Sequence, residues 1–241
     1  MVIGDEVRLL CLFTTILKKN TLLLEIMETE LEGRVREAFS QDRVSREEQR
    51  RIFGLLENLN GHPPTKEHCF RVCLKAREIA AFFYRPTKHV ARGGALHDIG
   101  KVRIPLEILK KSEFYDEENP YTPEDHELMK EHTKAGFEIL TSEGFFMSAW
   151  IALTHHHFQK NAYPLKLPPY TPELISTREY LTANTNSRIV SIADQWDASS
   201  RRNNLHTSQS PTSDKIKENL IQGNLDWVEQ IEHLYSAGIL F

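Results

Sequence analysis

The sequence predicts an all-α protein, a helical bundle with an N-terminal helical extension, and three observations predict it. Apolar residues recur three and four positions apart in one segment after another. Helix punctuation stands between those segments: Ser45-Arg46-Glu47-Glu48 with capping-box spacing, the Pro63-Pro64 pair, and Thr122-Pro123 ahead of two acidic residues. No run alternates apolar and polar residues over the length of a convincing strand. With 241 residues, 40% of them hydrophobic and 27% charged, the chain has the material for one large helical domain or a domain plus an extension.

The segment from Val7 to Leu17 is apolar, but it lacks a basic n-region and a small-residue cleavage site, and Lys18-Lys19-Asn20 stops it short of a span. Continued through Leu22 to Met27 it reads as an amphipathic helix for a partner surface, with a membrane-surface role as the lesser reading. Residues 28–44 carry Leu31, Val35 and Phe39 among many charges, the spacing of a solvated helix. The next helix begins at the Ser45 cap and ends before Gly61 and Pro63-Pro64. Residues 1–60 are therefore expected to be an extension for dimerisation or partner contact, and residues 61–241 the main domain; the extension is expected to pack against a second chain to give a homodimer, or failing that against the main domain.

In the main domain Thr65 is expected to cap a long helix bearing His68, Val72, Ala76, Ile79 and Ala80 on one face. Cys69 and Cys73 lie one turn apart on it and read as small core fillers. A short helix from Lys88 to Leu96 delivers His97 and Asp98, and Gly93-Gly94 lets it approach a neighbour closely. A helix starting at Thr122-Pro123 carries His132 and Gly136, with His126 on another, solvated face. Phe145 to Phe158 reads as a helix ending in His155-His156-His157, and Pro164, Pro168, Pro169 and Pro172 make 159–173 an irregular, lid-like loop. Ser187 to Ala198 reads as a helix with Asp194 near its inner face, followed by a polar stretch from Arg201 to Ser213 and two closing helices.

A net charge of -4 with no long basic cluster argues against a nucleic-acid polymer as partner. Three irregularly placed cysteines make no disulfide framework, so a reducing cytoplasm is the expected compartment. Eleven histidines are the unusual feature. Collected in order, the inward polar set is His68, His97-Asp98, His132, His155-His156 and Asp194. Imidazoles with a few carboxylates suit Fe, Mn, Zn or Ni better than Mg or Ca, which prefer oxygen. Two such ions sharing a carboxylate can hold a hydroxide between them and clamp both oxygens of an in-line phosphoryl displacement. Lys101, just beyond the His-Asp pair, is placed to meet a phosphate.

Over about residues 65–240 the chain resembles the HD superfamily of metal-dependent phosphohydrolases, and within it the HD-GYP group of cyclic di-GMP phosphodiesterases. The resemblance is carried by His68 in His-Cys-Phe-Arg-Val, by His97 to Pro105, by Met129 to His132 with Gly136, Ile139 and Leu140, by His155-His156, by Tyr163-Pro164 and by Arg188 to Asp194. It implies an HD-domain helical bundle in which His68, His97, Asp98 and Asp194 hold one divalent transition-metal ion and Asp98, His132, His155 and His156 a second, Fe or Mn in preference to Zn or Ni. It further implies Asp98 and Lys101 as catalytic residues, and Lys101, Tyr163 and Arg202 as contacts to a cyclic dinucleotide or other nucleotide. The chain departs from the group's pattern at its lid. Where the group reads His-His-Glu and, two positions on, Asp-Gly-x-Gly-Tyr-Pro, this chain reads His155 to Pro164 with one residue fewer, His157 for the glutamate and Ala162 for the last glycine. Pro64 stands where some members place a glutamate for a third metal, and the basic motif survives as Arg201-Arg202. The resemblance thus implies a phosphodiesterase acting on cyclic di-GMP. The altered lid keeps open a signalling module of little activity, and the wider superfamily a nucleotide phosphohydrolase.

Overall fold

The computed structural model describes residues 30–113, 118–169, 176–206 and 212–240. The stripe through Leu9, Leu12, Phe13, Ile16 and Leu17 lies outside them, as does the side chain of Arg202. Every regular element among the described residues is helical. Helix α1 runs through residues 30–41, α2 covers Arg46–Glu57, α3 Pro63–Phe82 and α4 Thr87–Leu96. A 3₁₀ turn at Ile99–Arg103 leads to α5 (Leu106–Glu113), α6 (Pro123–Ser142), α7 (Phe146–Thr154) and α8 (Thr177–His206). Helix α9 (Ser213–Gly223), a second 3₁₀ turn (Leu225–Trp227) and α10 (Val228–Ser236) close the chain.

Local chemistry sets most of these boundaries. The Ser45 hydroxyl accepts from the Glu48 amide at the start of α2, and Thr122 and Asp125 form a reciprocal capping box at the start of α6. Three expectations are corrected. Thr65 does not cap α3, which already begins at Pro63: a proline in the first turn has no N–H to leave unpaired, and the Thr65 hydroxyl instead meets His62 Nδ1 at 2.8 Å. Helix α7 stops at Thr154 rather than Phe158, leaving the histidines in the turn beyond it. The His155 amide makes the last α-helical bond, to Ile151, and the His157 amide turns to the Thr154 carbonyl at 2.9 Å in a tighter turn. Helix α8 spans 30 residues and runs through the polar Arg201–His206 segment. No glycine or proline interrupts it, and polarity alone does not end a helix.

Two apolar clusters flank the centre of the bundle. One joins Phe39, Ile52, Phe53 and Leu56 to Phe70, Leu96, Leu140 and Ala149; the other joins Val72, Ile79 and Val90 to Ile151, Ile189, Ile192, Leu220 and Leu234. Val35 and Phe39, expected on a solvated helix, are both 0% exposed, because α1 turns its charges outward and packs this edge into the first cluster. Cys69 and Cys73 are buried free thiols in the same cluster. Helix α3 feeds both clusters, and its His68 emerges between them. No helix among the described residues is long and apolar enough to cross a membrane.

Two glycines make the centre possible. A Cβ on Gly94 would lie 2.9 Å from the Cα of Cys73, so α4 approaches α3 closer than any side chain allows. A Cβ on Gly100 would collide with the His132 carbonyl, because the first 3₁₀ turn lies flat on α6. Gly100→Ala is therefore expected to lower stability by about 1–3 kcal/mol, the usual range for overpacking. Gly33→Ala, in α1 with no atom near the added methyl, is expected to raise it by about 0.5–1 kcal/mol. Urea unfolding midpoints of the two variants should move in opposite directions.

Candidate metal centre

The seven side chains expected as ligands converge. His68 comes from α3, His97 and Asp98 from the end of α4, His132 from α6, His155 and His156 from the turn after α7, and Asp194 from α8. Asp98 sits among them with its two oxygens facing different partners. Its Oδ2 lies 3.4 Å from His97 Nε2 and 3.6 Å from His68 Nε2, while its Oδ1 lies 3.2 Å from His132 Nε2 and 3.9 Å from His155 Nε2. Asp194 divides in the same way: Oδ1 is 3.0 Å from His68 Nε2 and 3.9 Å from His97 Nε2, and Oδ2 is 4.0 Å from His156 Nε2. Ligand atoms of His68, His97 and Asp98 lie within 4.8 Å of one another, as do those of His132, His155 and His156, and those of His97, His155 and Asp194.

Three of the rings are oriented by one local device. The Nδ1–H of His97 donates to the Gly94 carbonyl at 2.8 Å, that of His132 to Met129 at 2.6 Å and that of His155 to Ala152 at 2.8 Å. A carbonyl only accepts, so the proton is on Nδ1 and each Nε2 presents a lone pair inward. The Nε2 atoms of His132 and His155 face each other at 3.4 Å, and His97 Nε2 is buried without a hydrogen-bond partner. Lone pairs aimed at one another beside two carboxylates leave the protein alone poorly satisfied, and they are what a bound cation requires.

The electrostatics agree with that fit. Burial lowers the pKa of His97, His155 and His156 and brings His132 down to about 3, so these rings stay neutral. Burial works against the charge on Asp98, but the Lys101 ammonium beside it outweighs burial and holds its carboxyl well below the ordinary range. At Asp194 burial is likewise outweighed, first by the hydrogen bond from His68. His68 is the exception among the imidazoles: burial opposes its charge, yet bonds to Asp194 and Asp197 raise its pKa. Neutral imidazoles with ionised carboxylates form a donor set for Fe, Mn, Zn or Ni rather than Mg or Ca.

Around this cage the expected substrate contacts fall in different places. Lys101 Nζ lies 2.6 Å from Asp98 Oδ2, with its side chain 20% exposed at the rim. The Tyr163 ring stacks on His156, centroids 4.4 Å apart at 25°. Arg201 Nη2 lies 2.7 Å from Asp197 Oδ2 and 2.9 Å from His68 Nδ1. Asp197 itself was not among the expected site residues. Its Oδ2 accepts from His68 Nδ1 at 2.7 Å and its Oδ1 from Arg71 Nε at 2.9 Å, so it does for His68 what the carbonyls do for the other rings. The signal was present as Asp194-x-x-Asp197, a spacing that puts both carboxylates on one face of α8.

A helical bundle whose interior holds five imidazoles and two carboxylates around one cage has the construction of a metal-binding domain. The chain belongs to the HD domain family, which matches residues 65–199. A cyclic di-GMP phosphodiesterase of Thermotoga maritima is 38% identical over 107 residues, 43% of this chain, and the chain spans 24% of that relative's length. The crystal structure of the HD domain of the L. monocytogenes phosphodiesterase PgpH in complex with cyclic-di-AMP aligns with a TM-score of 0.47 at 24% identity, covering 77% of this chain and 84% of that one. A second crystal structure of the L. monocytogenes phosphodiesterase PgpH HD domain gives a TM-score of 0.45 at 23% identity, covering 76% of this chain and 85% of that one.

Asp197→Asn is expected to weaken metal binding about 10- to 100-fold, the usual cost of losing a partner that orients a ligand ring; competition with a chelator measures it. Asp197 also makes stability depend on pH. Burial opposes its charge, but His68, Arg201 and Arg71 hold its pKa down at about 2. Its contribution is complete above the unfolded value of about 3.9 and is lost as pH falls through the folded one. In chelator, the stability gap between wild type and Asp197→Asn should therefore shrink from pH 5 toward ~2.

Proposed function

We propose that this chain is a phosphodiesterase of the HD-GYP type that hydrolyses a cyclic dinucleotide, cyclic di-GMP, at a two-metal site. The observation that carries the proposal is the division of Asp98: one oxygen faces His68 and His97, the other His132 and His155. His68, His97, Asp98 and Asp194 would hold one ion, and Asp98, His132, His155 and His156 the other, with Fe or Mn ahead of Zn or Ni. When bound, the ions supply the positive charge and Lewis acidity that draw in a phosphate and polarise it.

The chain's own residues do the rest. The Nδ1–H bonds to backbone keep His97, His132 and His155 in one tautomer, so no ring reorients as the substrate arrives. Asp98 stays ionised in a buried setting. Lys101, at the rim, offsets the charge that develops on the phosphate oxygens, and Arg202 adds a second cationic contact. Tyr163, stacked on His156, stands where it can contact the substrate. The name of the Thermotoga maritima relative supports the choice of substrate. A homodimer through the N-terminal residues and a cytoplasmic location belong to the same proposal, while α1 and α2, which share the first apolar cluster with α3, α4 and α6, count with the main domain rather than with a 1–60 extension.

A second reading is a signalling module that binds nucleotide and turns over little of it. The observation that favours it is the altered lid, whose Tyr163 already stacks on a proposed ligand.

Elemental analysis of protein prepared without chelator should give close to two transition-metal ions per chain, and Asp98→Ala should lose most of both. A wild type that stays metal-free when offered Fe(II) or Mn(II) would sink the two-metal reading. Lys101→Ala should keep its metal while turnover of cyclic di-GMP drops about 100- to 1000-fold, as for other charge-stabilising donors. Metal-loaded wild type that binds cyclic di-GMP but leaves it intact over hours would decide for the signalling module.

A further inference from the structure

We propose that His157 is a positioning residue: it closes the loop from His157 to Pro164, seats Tyr163 over His156 and so shapes the entrance to the metal centre. The inference rests on the reading of that centre given above, and its first test makes no use of activity.

Of the three consecutive histidines, His157 is the one whose ring turns away from the cage. Its Nδ1 lies 2.8 Å from the Pro164 carbonyl, which only accepts, so Nδ1 carries the proton and donates. The loop's first arm is fixed independently. Gln159 Nε2 donates to Ser191 Oγ at 3.2 Å and to the His155 carbonyl at 3.4 Å, and the Lys160 amide donates to the Gly223 carbonyl at 3.0 Å. The returning arm carries Tyr163, whose amide donates to the His156 carbonyl at 3.3 Å and whose ring lies 6.2 Å from that of His132. The His157 bond therefore ties the returning arm to the fixed one next to Tyr163. Little apolar burial helps it, since Lys160, Leu165 and Lys166 are exposed, and hydrogen bonds decide whether such a segment stays closed.

Trypsin cleavage after Lys160 and Lys166 in the metal-free full chain, read by mass spectrometry, tests this directly. His157→Ala removes the donor. His157→Asn puts an amide nitrogen on Cγ, where Nδ1 was attached, whereas His157→Gln carries it one bond further out. One hydrogen bond is worth about a five-fold change in a local opening equilibrium. The Ala and Gln variants should be cut about five-fold faster than wild type, and the Asn variant should match wild type, all with unchanged melting temperature. In turnover of cyclic di-GMP, KM should rise by a similar factor in His157→Ala, with kcat held, and return to the wild-type value in His157→Asn. If Asn is cut as fast as Ala, or Ala as slowly as wild type, the inference is wrong whatever the activity. If the cleavage pattern holds and no cyclic dinucleotide is hydrolysed, the phosphodiesterase reading fails while the loop's anchoring by His157 stands.

Discussion

Asp98 is a carboxylate with 2% of its surface exposed, and an ionised group so placed survives only among close partners. Much of the bundle answers that demand. Helix α4 delivers Asp98 at its end, α3 and α6 bring imidazoles to opposite oxygens, and Lys101 folds back to 2.6 Å from Oδ2. Close approach is what makes the partners effective, and it is obtained with backbone rather than side chains: Gly94 lets α4 lie against α3, and Gly100 lets the following turn lie against α6. The two apolar clusters stand on either side and hold these approaches in place.

The cage and its rim are built differently. Every proposed ligand sits in a helix or directly at a helix end, where packing sets its position. The rim is loop, from the turn after α7 to Pro164, held by scattered hydrogen bonds to α8 and α9. His157 and Ala162 fall in this second class, and the proposed ligands all fall in the first.

The cage was legible in the sequence because its residues are chemically unusual in apolar surroundings: an inward histidine on α3, a His-Asp pair before glycine, consecutive histidines after an apolar helix. What escaped was relational. Asp197 looks like any helix-surface acid until the fold places His68 against it, 129 positions away in the chain. The burial of Val35 and Phe39 depended on a partner surface supplied by α3 and its neighbours. The end of α7 has no glycine or proline to announce it and shows only as the His157 amide turning to the Thr154 carbonyl. Composition misled at Arg201–His206, where polar residues continue a helix for want of anything to stop it.

The orientation of His97, His132 and His155 by carbonyls three residues behind them has a consequence for how such a centre tolerates change. Each ring is aimed by its own helix, so its direction does not depend on the surrounding loops. Substitutions in the loops can then alter what reaches the cage without turning those rings. The doorway can thus be rebuilt while the room behind it keeps its furniture, because the aim of those rings is stored in the helices that carry them.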